Sequence, residues 1–158
     1  MNIKEAVVKV ASSNLEKEDL LKQISKINSN GAVVQIFDLK SVINKMHILG
    51  AYLNATESFA EKTNISGSVA MEMLLFAAMT RQISDAIEKV GAKSGKKFIV
   101  FANNMESYQK IKKFIKEEED FNPSQNQVLA TAKKFGIEQK SDIDQFVLQK
   151  IAISRLEA

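Results

Sequence analysis

The 158-residue chain has no cysteine and no tryptophan, one histidine, one proline and six glycines. Without cysteine there is no disulfide framework, no thiol nucleophile and no thiolate-ligated metal. A single imidazole, His47, excludes a multi-histidine zinc site and a proton relay between two histidines. No metal and no cofactor are therefore expected. Met1 to Val10 lacks a basic stretch followed by a long apolar run, so no signal or transit peptide is expected and the cytoplasm is the expected compartment. The most apolar segment, Val69 to Met79, falls short of the ~20 residues needed to cross a bilayer, so no membrane partner is expected. G-x-G-x-x-G, P-loop, G-x-S-x-G and H-E-x-x-H motifs are all missing, and catalysis by this chain alone is not expected.

What is present reads as an ordinary globular chain, 45% hydrophobic and 26% charged. Its length suits one domain of roughly 150 residues, and residues 1–158 are expected to form a single compact unit. The formal charge of +3 is unevenly spread. Lysine and acidic residues balance up to Met79. From Lys89 to Lys116 eight lysines face Glu106 alone, before the acidic run Glu117 to Asp120. A lysine-rich solvated face explains this, and so does attraction of phosphates.

Ile3 to Val10, Ala32 to Phe37 and Phe98 to Ala102 are β-rich runs that predict strands. Ser13 and Glu16 form a predicted capping box before a helix with Leu20, Leu21, Ile24 and Ile27 on one face. Ser41 is the expected cap of a long helix whose stripe is Val42, Met46, Leu49, Leu53, Thr56 and Ala60. Val69 to Met79, apolar on every side except at Glu72, predicts a central buried helix. In the next helix Ile83, Ala86, Ile87 and Val90 line a single face, and Tyr108, Ile111, Phe114 and Ile115 point inward from another. Two more follow Pro123, Ser124 to Phe135 and Asp142 to Leu156, the latter capped by Ser141. The sum is an α+β fold, a small sheet of about three to five strands with about six helices.

Few residues invite a functional reading. Glu72 inside the apolar helix is either an acid with a raised pKa or the partner of a cation or amide across a helix junction. His47 is either a general base or a hydrogen-bonded buried imidazole. Met46, Met71, Met73 and Met79 either fill the core or offer an adaptable protein-binding surface. Arginine is scarce, Arg81 and Arg155 against twenty lysines. Arg81 opens a helix, where the dipole disfavours a cation unless an anion or carboxylate is near; Asp85, four residues on, is one candidate.

The block Met71-Glu72-Met73-Leu74-Leu75-Phe76-Ala77-Ala78-Met79-Thr80-Arg81-Gln82-Ile83, followed by Ala86-Ile87 and Gly91, resembles the hallmark of the TPRKB-like family. These are the kinase-binding small subunits of the KEOPS complex. His47-Ile48, Ala51, Ala55, Phe59 and Asn64-Ile65-Ser66 fit the same pattern, as does Val147 to Ala152. The resemblance covers about residues 33 to 155 and leaves Glu117 to Lys140 unmatched. It implies a non-catalytic subunit that binds the small kinase-like ATPase of KEOPS, which makes threonylcarbamoyladenosine in tRNA. It further implies a role in holding tRNA by its 3′ CCA end. Asn64, Ser66, Arg81 and Gln82 are the expected tRNA-binding residues within these motifs, with Thr80, where the chain departs from the family's small residues, beside them; Lys62, Lys89, Lys96 and Lys97 join them on charge alone. A standalone small-molecule-binding protein or weak enzyme, with a pocket near Glu72, Arg81 and His47, is the alternative.

Overall fold

A computed structural model describes residues 3–156. After a 3-10 turn at Ile3–Glu5, the order is β1 (Val7–Ser12), α1 (Lys17–Asn28), β2 (Val34–Phe37), α2 (Lys45–Ala60), α3 (Val69–Ala78) and α4 (Ile83–Val90). Then follow β3 (Phe98–Ala102), α5 (Met105–Lys112), β4 (Lys116–Asp120), α6 (Gln125–Lys133) and α7 (Ile143–Ser154). Four strands and seven α-helices among the described residues make an α+β fold. Two compact units can be told apart within the chain, 1–39 with 91–121 and 40–90 with 122–158. No helix of the described residues is long and apolar enough to cross a membrane.

The first unit holds one antiparallel sheet of order β2-β3-β1-β4. Val10 opposes Ile99, Ile36 opposes Val100, and Lys9 opposes Asp120, with an irregularity between Val10 and Ala11. All residues of β2 and β3 are buried, which is why both read as apolar runs, broken only by Gln35 in β2. Leu20, Ile24 and Ile27 of α1 and Tyr108 and Ile111 of α5 join Val7, Val34, Ile36, Phe98 and Val100 in a single core cluster. Phe114 and Ile115, predicted inward from α5, lie beyond its end and pack half-buried on that cluster.

Two local expectations fail in this unit. Ser13 does not cap α1: Glu16 stands at the cap with no side-chain bond. The Ser13 hydroxyl instead donates to the Phe114 carbonyl at 2.6 Å and accepts from the Leu15 amide, so it ties two loops together. β4 is absent from the sequence reading because Lys-Glu-Glu-Glu-Asp has neither alternation nor β-propensity. All five residues are exposed. Partners on neighbouring elements hold this edge strand: Lys9 on Asp120, the Ser12 hydroxyl on Glu118, and the Tyr108 hydroxyl on Glu117. Burial and the Glu117 carboxylate raise the Tyr108 phenol well above its ordinary range, so it stays a donor. A charged edge also resists pairing with other chains.

The second unit is helical. α3 is the expected buried helix, with eight of its ten residues out of solvent. Ser68 caps it by accepting from the Met71 amide at 3.1 Å. At its other end Met79 adopts the left-handed conformation, φ 58°. The Thr80 amide reaches back to the Leu75 carbonyl and the Met79 amide to Phe76, closing the helix in a Schellman motif. α2 is capped by Asn44 rather than Ser41. Its buried face is Ile48, Ala51, Tyr52 and Ala55, with His47 and Ser58. In the predicted stripe Val42 precedes the helix, Ala60 is exposed, and Met46, Leu49, Leu53 and Thr56 are half-buried. Both stripes recur every three or four residues, and a helix followed by more apolar residues than one face needs leaves the choice to packing. α6 starts with a complete capping box between Ser124 and Gln127. α7 begins at Asp142, itself left-handed at φ 55° with no side-chain cap, instead of at a Ser141 cap; Ile143, Val147 and Ile151 are buried as expected.

Candidate functional site

The Arg-Gln-Ile block and the loop between α2 and α3 are tied together by Arg155, which belongs to no sequence motif. Arg155, just past the end of α7, reaches the Glu72 carboxylate with Nη2 at 2.7 Å. Its Nη1 donates to the Thr63 carbonyl at 2.9 Å, and its guanidinium lies 4.3 Å from the centre of the Phe76 ring. The Arg155 carbonyl accepts from Arg81 Nη1 at 2.8 Å. Arg81 thus pairs with neither Asp85 nor Glu72, and the cation beside Glu72 is the chain's other arginine.

Glu72 is fully buried, and both of its oxygens are satisfied. Oε1 accepts from the amides of Ile65, 2.8 Å, and Ser66, 2.5 Å; Oε2 faces Arg155 and, at 3.3 Å, the Ser58 hydroxyl. Burial alone would raise its pKa. The Ser66 amide and Arg155 outweigh that and hold the carboxyl below its ordinary value, so it is a structural anion and not a proton donor. The loop wraps around it: Asn64 Nδ2 donates to the Ser66 carbonyl, and the Ser66 hydroxyl to the Ser68 carbonyl.

His47 is fully buried as well. Its Nδ1 accepts from the Ile43 amide at 3.0 Å, which leaves the proton on Nε2 for the Ala77 carbonyl at 2.8 Å. The imidazole therefore caps the C-terminal end of α3, and it meets the Phe135 ring in a T-shaped contact with centroids 5.0 Å apart. Burial, with the nearby positive Lys89 adding to it, pushes its pKa down to about 4 despite the Ala77 contact. Neutral, with both nitrogens occupied, it is a hydrogen-bonded core residue.

The other expected site residues fall in two places. Lys62, Asn64, Ser66, Thr80, Arg81, Gln82 and Lys89 belong to the helical unit; Lys96 and Lys97 belong to the sheet unit. Lys62, Asn64, Arg81, Gln82, Lys89, Lys96 and Lys97 are exposed, Thr80 is half-buried, and Ser66 is buried. The structure joins Asn64, Ser66 and Arg81 through Arg155. The Thr80 hydroxyl accepts from the Gln82 amide at 3.3 Å, shaping the turn into α4. Scarcity of arginine was the one signal that could have picked out Arg155. Among the methionines Met73 is core, while Met46, Met71 and Met79 are half-buried. No grouping of three or more His, Asp or Glu suited to a metal occurs among the described residues.

α4 departs from expectation in a way that bears on binding. Ala86 and Val90 are buried, but Ile83 and Ile87 are 39% and 47% exposed. Two i,i+4 ridges lie side by side on this short helix, and only one packs.

Residues 7–155 match the family described as kinase binding protein CGI-121, and the chain belongs to that family. No curated protein matches the chain.

Proposed function

We propose that this chain is a non-catalytic KEOPS subunit that binds the kinase-like ATPase of that complex and helps hold tRNA, by its 3′ CCA end, for threonylcarbamoyladenosine formation in the cytoplasm. The observation that carries the reading is the family match across residues 7–155, under a description that names kinase binding. Two features of the helical unit support it. Ile83 and Ile87 form an exposed apolar ridge on α4, the kind of surface a protein partner covers. Glu72 and His47, the groups with most chemical promise, are committed to internal hydrogen bonds.

For RNA, Arg81 has an exposed side chain for a phosphate or a stacked base, with Thr80, Gln82, Asn64 and Lys62 as the other candidate contacts. Ser66, buried and internally bonded, shapes the loop that presents Asn64. Lys89, Lys96 and Lys97 supply exposed positive charge for steering.

Gel filtration of the purified chain with the purified kinase-like ATPase tests the first half. Co-elution at micromolar concentration is expected, and Ile87→Glu should weaken it at least tenfold. Two separate peaks for the unaltered proteins would count against the assignment. For the second half, removal of the terminal CCA and Arg81→Ala should each weaken tRNA binding; unchanged affinity in both cases would make Arg81 purely a tie to α7.

A further inference from the structure

A cleft of about 230 Å³ opens in the helical unit between Met79, Lys89, Lys134, Phe135, Lys150 and Ile153, with Ser154 at its side. Three of these residues are lysines, drawn from α4, the end of α6 and α7, and no carboxylate lines the space. None of the three lies within ion-pair distance of an acidic side chain among the described residues. Their positions are held. The Lys89 ammonium sits 4.4 Å from the centre of the Phe135 ring, which also meets His47 in a T-shaped contact. Lys150 Nζ lies over Gly136, 3.2 Å from where a Cβ would stand there, and Lys134 Nζ donates to the Lys40 carbonyl at 3.3 Å. Burial and the neighbouring positive Lys150 push the Lys89 pKa down, so the charge on Lys89 carries a cost in the empty state.

We propose that this cleft binds the phosphate group of a nucleotide or of an RNA strand. Like charges gathered without counter-charge destabilise the folded unit, and a bound anion reverses that cost. Three ammoniums act as point charges with rotatable donors, which suits a multiply charged, roughly tetrahedral phosphate; a planar carboxylate is better met by an arginine fork, and no arginine lines the cleft. The volume is below the ~300 Å³ at which whole small-molecule pockets begin, so the cleft takes a charged head while the rest of the ligand stays outside. The inference stands whether or not the chain binds a kinase or the CCA end, because it rests on the cleft alone.

Amide NMR of the full chain, titrated at constant ionic strength, tests it with four probes: pyrophosphate, adenosine 5′-monophosphate, a short single-stranded RNA lacking terminal phosphates, and acetate. Saturable shifts are expected at Met79, Lys89, Phe135, Gly136 and Lys150 with pyrophosphate, and none of that pattern with acetate. Binding should fall at least tenfold in Lys134→Gln with Lys150→Gln, neither of which touches His47. Pyrophosphate should also raise the melting temperature of the native chain more than that of the variant. Should the double variant unfold, Lys134→Gln alone gives the same reading, with a smaller loss. If only adenosine monophosphate competes with pyrophosphate, the head is a terminal phosphate; if the RNA competes too, internal phosphates fit. Binding that is unlocalised, or undiminished by the substitutions, overturns the proposal.

Discussion

At the scale of single residues the helical unit turns on a buried anion and a buried neutral ring. Removing Arg155 leaves the Glu72 charge with two amides and a hydroxyl but no cation. Breaking a buried pair on one side typically costs about 3–5 kcal/mol. Arg155→Ala should therefore lower stability by about 3 kcal/mol in urea unfolding, and Arg155→Lys by less, since Lys keeps the charge but loses the fork that also reaches Thr63. A loss below ~1 kcal/mol would mean that the amides alone suffice.

His47 sets a pH dependence of definite sign. Its folded pKa, about 4, lies below its ordinary value of 6.5, so the unfolded chain binds the proton more readily. Its contribution is complete above pH 6.5, declines as pH falls, and is lost by about pH 4, amounting to about 3 kcal/mol across that window. The Glu72 shift acts in the same direction at lower pH, because a carboxyl held below its ordinary value also loses its stabilisation on acidification. Stability measured from pH 7 to 4 should fall in the native chain and fall much less in His47→Gln. An imidazole that titrates near 6.5 by NMR would refute the buried neutral assignment. The sequence showed that Glu72 was out of place in an apolar helix; it did not show which cation answers it, because Arg155 lies 83 residues away.

Among the elements, long apolar runs translated directly into β2, β3 and α3, because burial on all sides leaves no face to choose. Surplus apolar residues were misread: Ile83 and Ile87 look no different from Ala86 and Val90 until neighbours decide which ridge packs. Caps were poorly legible: Ser13, Ser41 and Ser141 do not cap their helices, Ser13 being taken by the Phe114 carbonyl, whereas Ser68 and Ser124 do cap theirs. β4 was illegible because pairing with β1 and side-chain ties, rather than apolar content, make it a strand. Close approach of backbone segments is invisible in sequence too. A Cβ at Gly95 would lie 2.5 Å from the Leu15 carbonyl oxygen, where the Ser13 amide also bonds to the Gly95 carbonyl. Gly95→Ala should cost about 1–3 kcal/mol, the usual range for overpacking, and thermal melting measures it. An unchanged melting temperature would show that these loops part freely.

For the whole molecule, the charge asymmetry seen in the sequence does not survive as one feature. The lysine-rich stretch from Lys89 to Lys116 is divided after Val90, with Lys89 in the helical unit and the rest in the sheet unit. What gathers positive charge around a cleft is instead Lys89 with Lys134 and Lys150, residues whose separation along the chain hid them. The same interleaving governs how the molecule comes into being. The chain passes from one unit to the other three times, near residues 39, 90 and 121. β1 pairs with β3 and β4, and β2 pairs with β3, so the two strands made first never pair with each other. During synthesis they wait, unpaired and apolar, until Phe98 to Ala102 has emerged to lie between them. A protease cut after Val90 would likewise yield two pieces, each holding part of both units, and neither could keep its half of the sheet without the other.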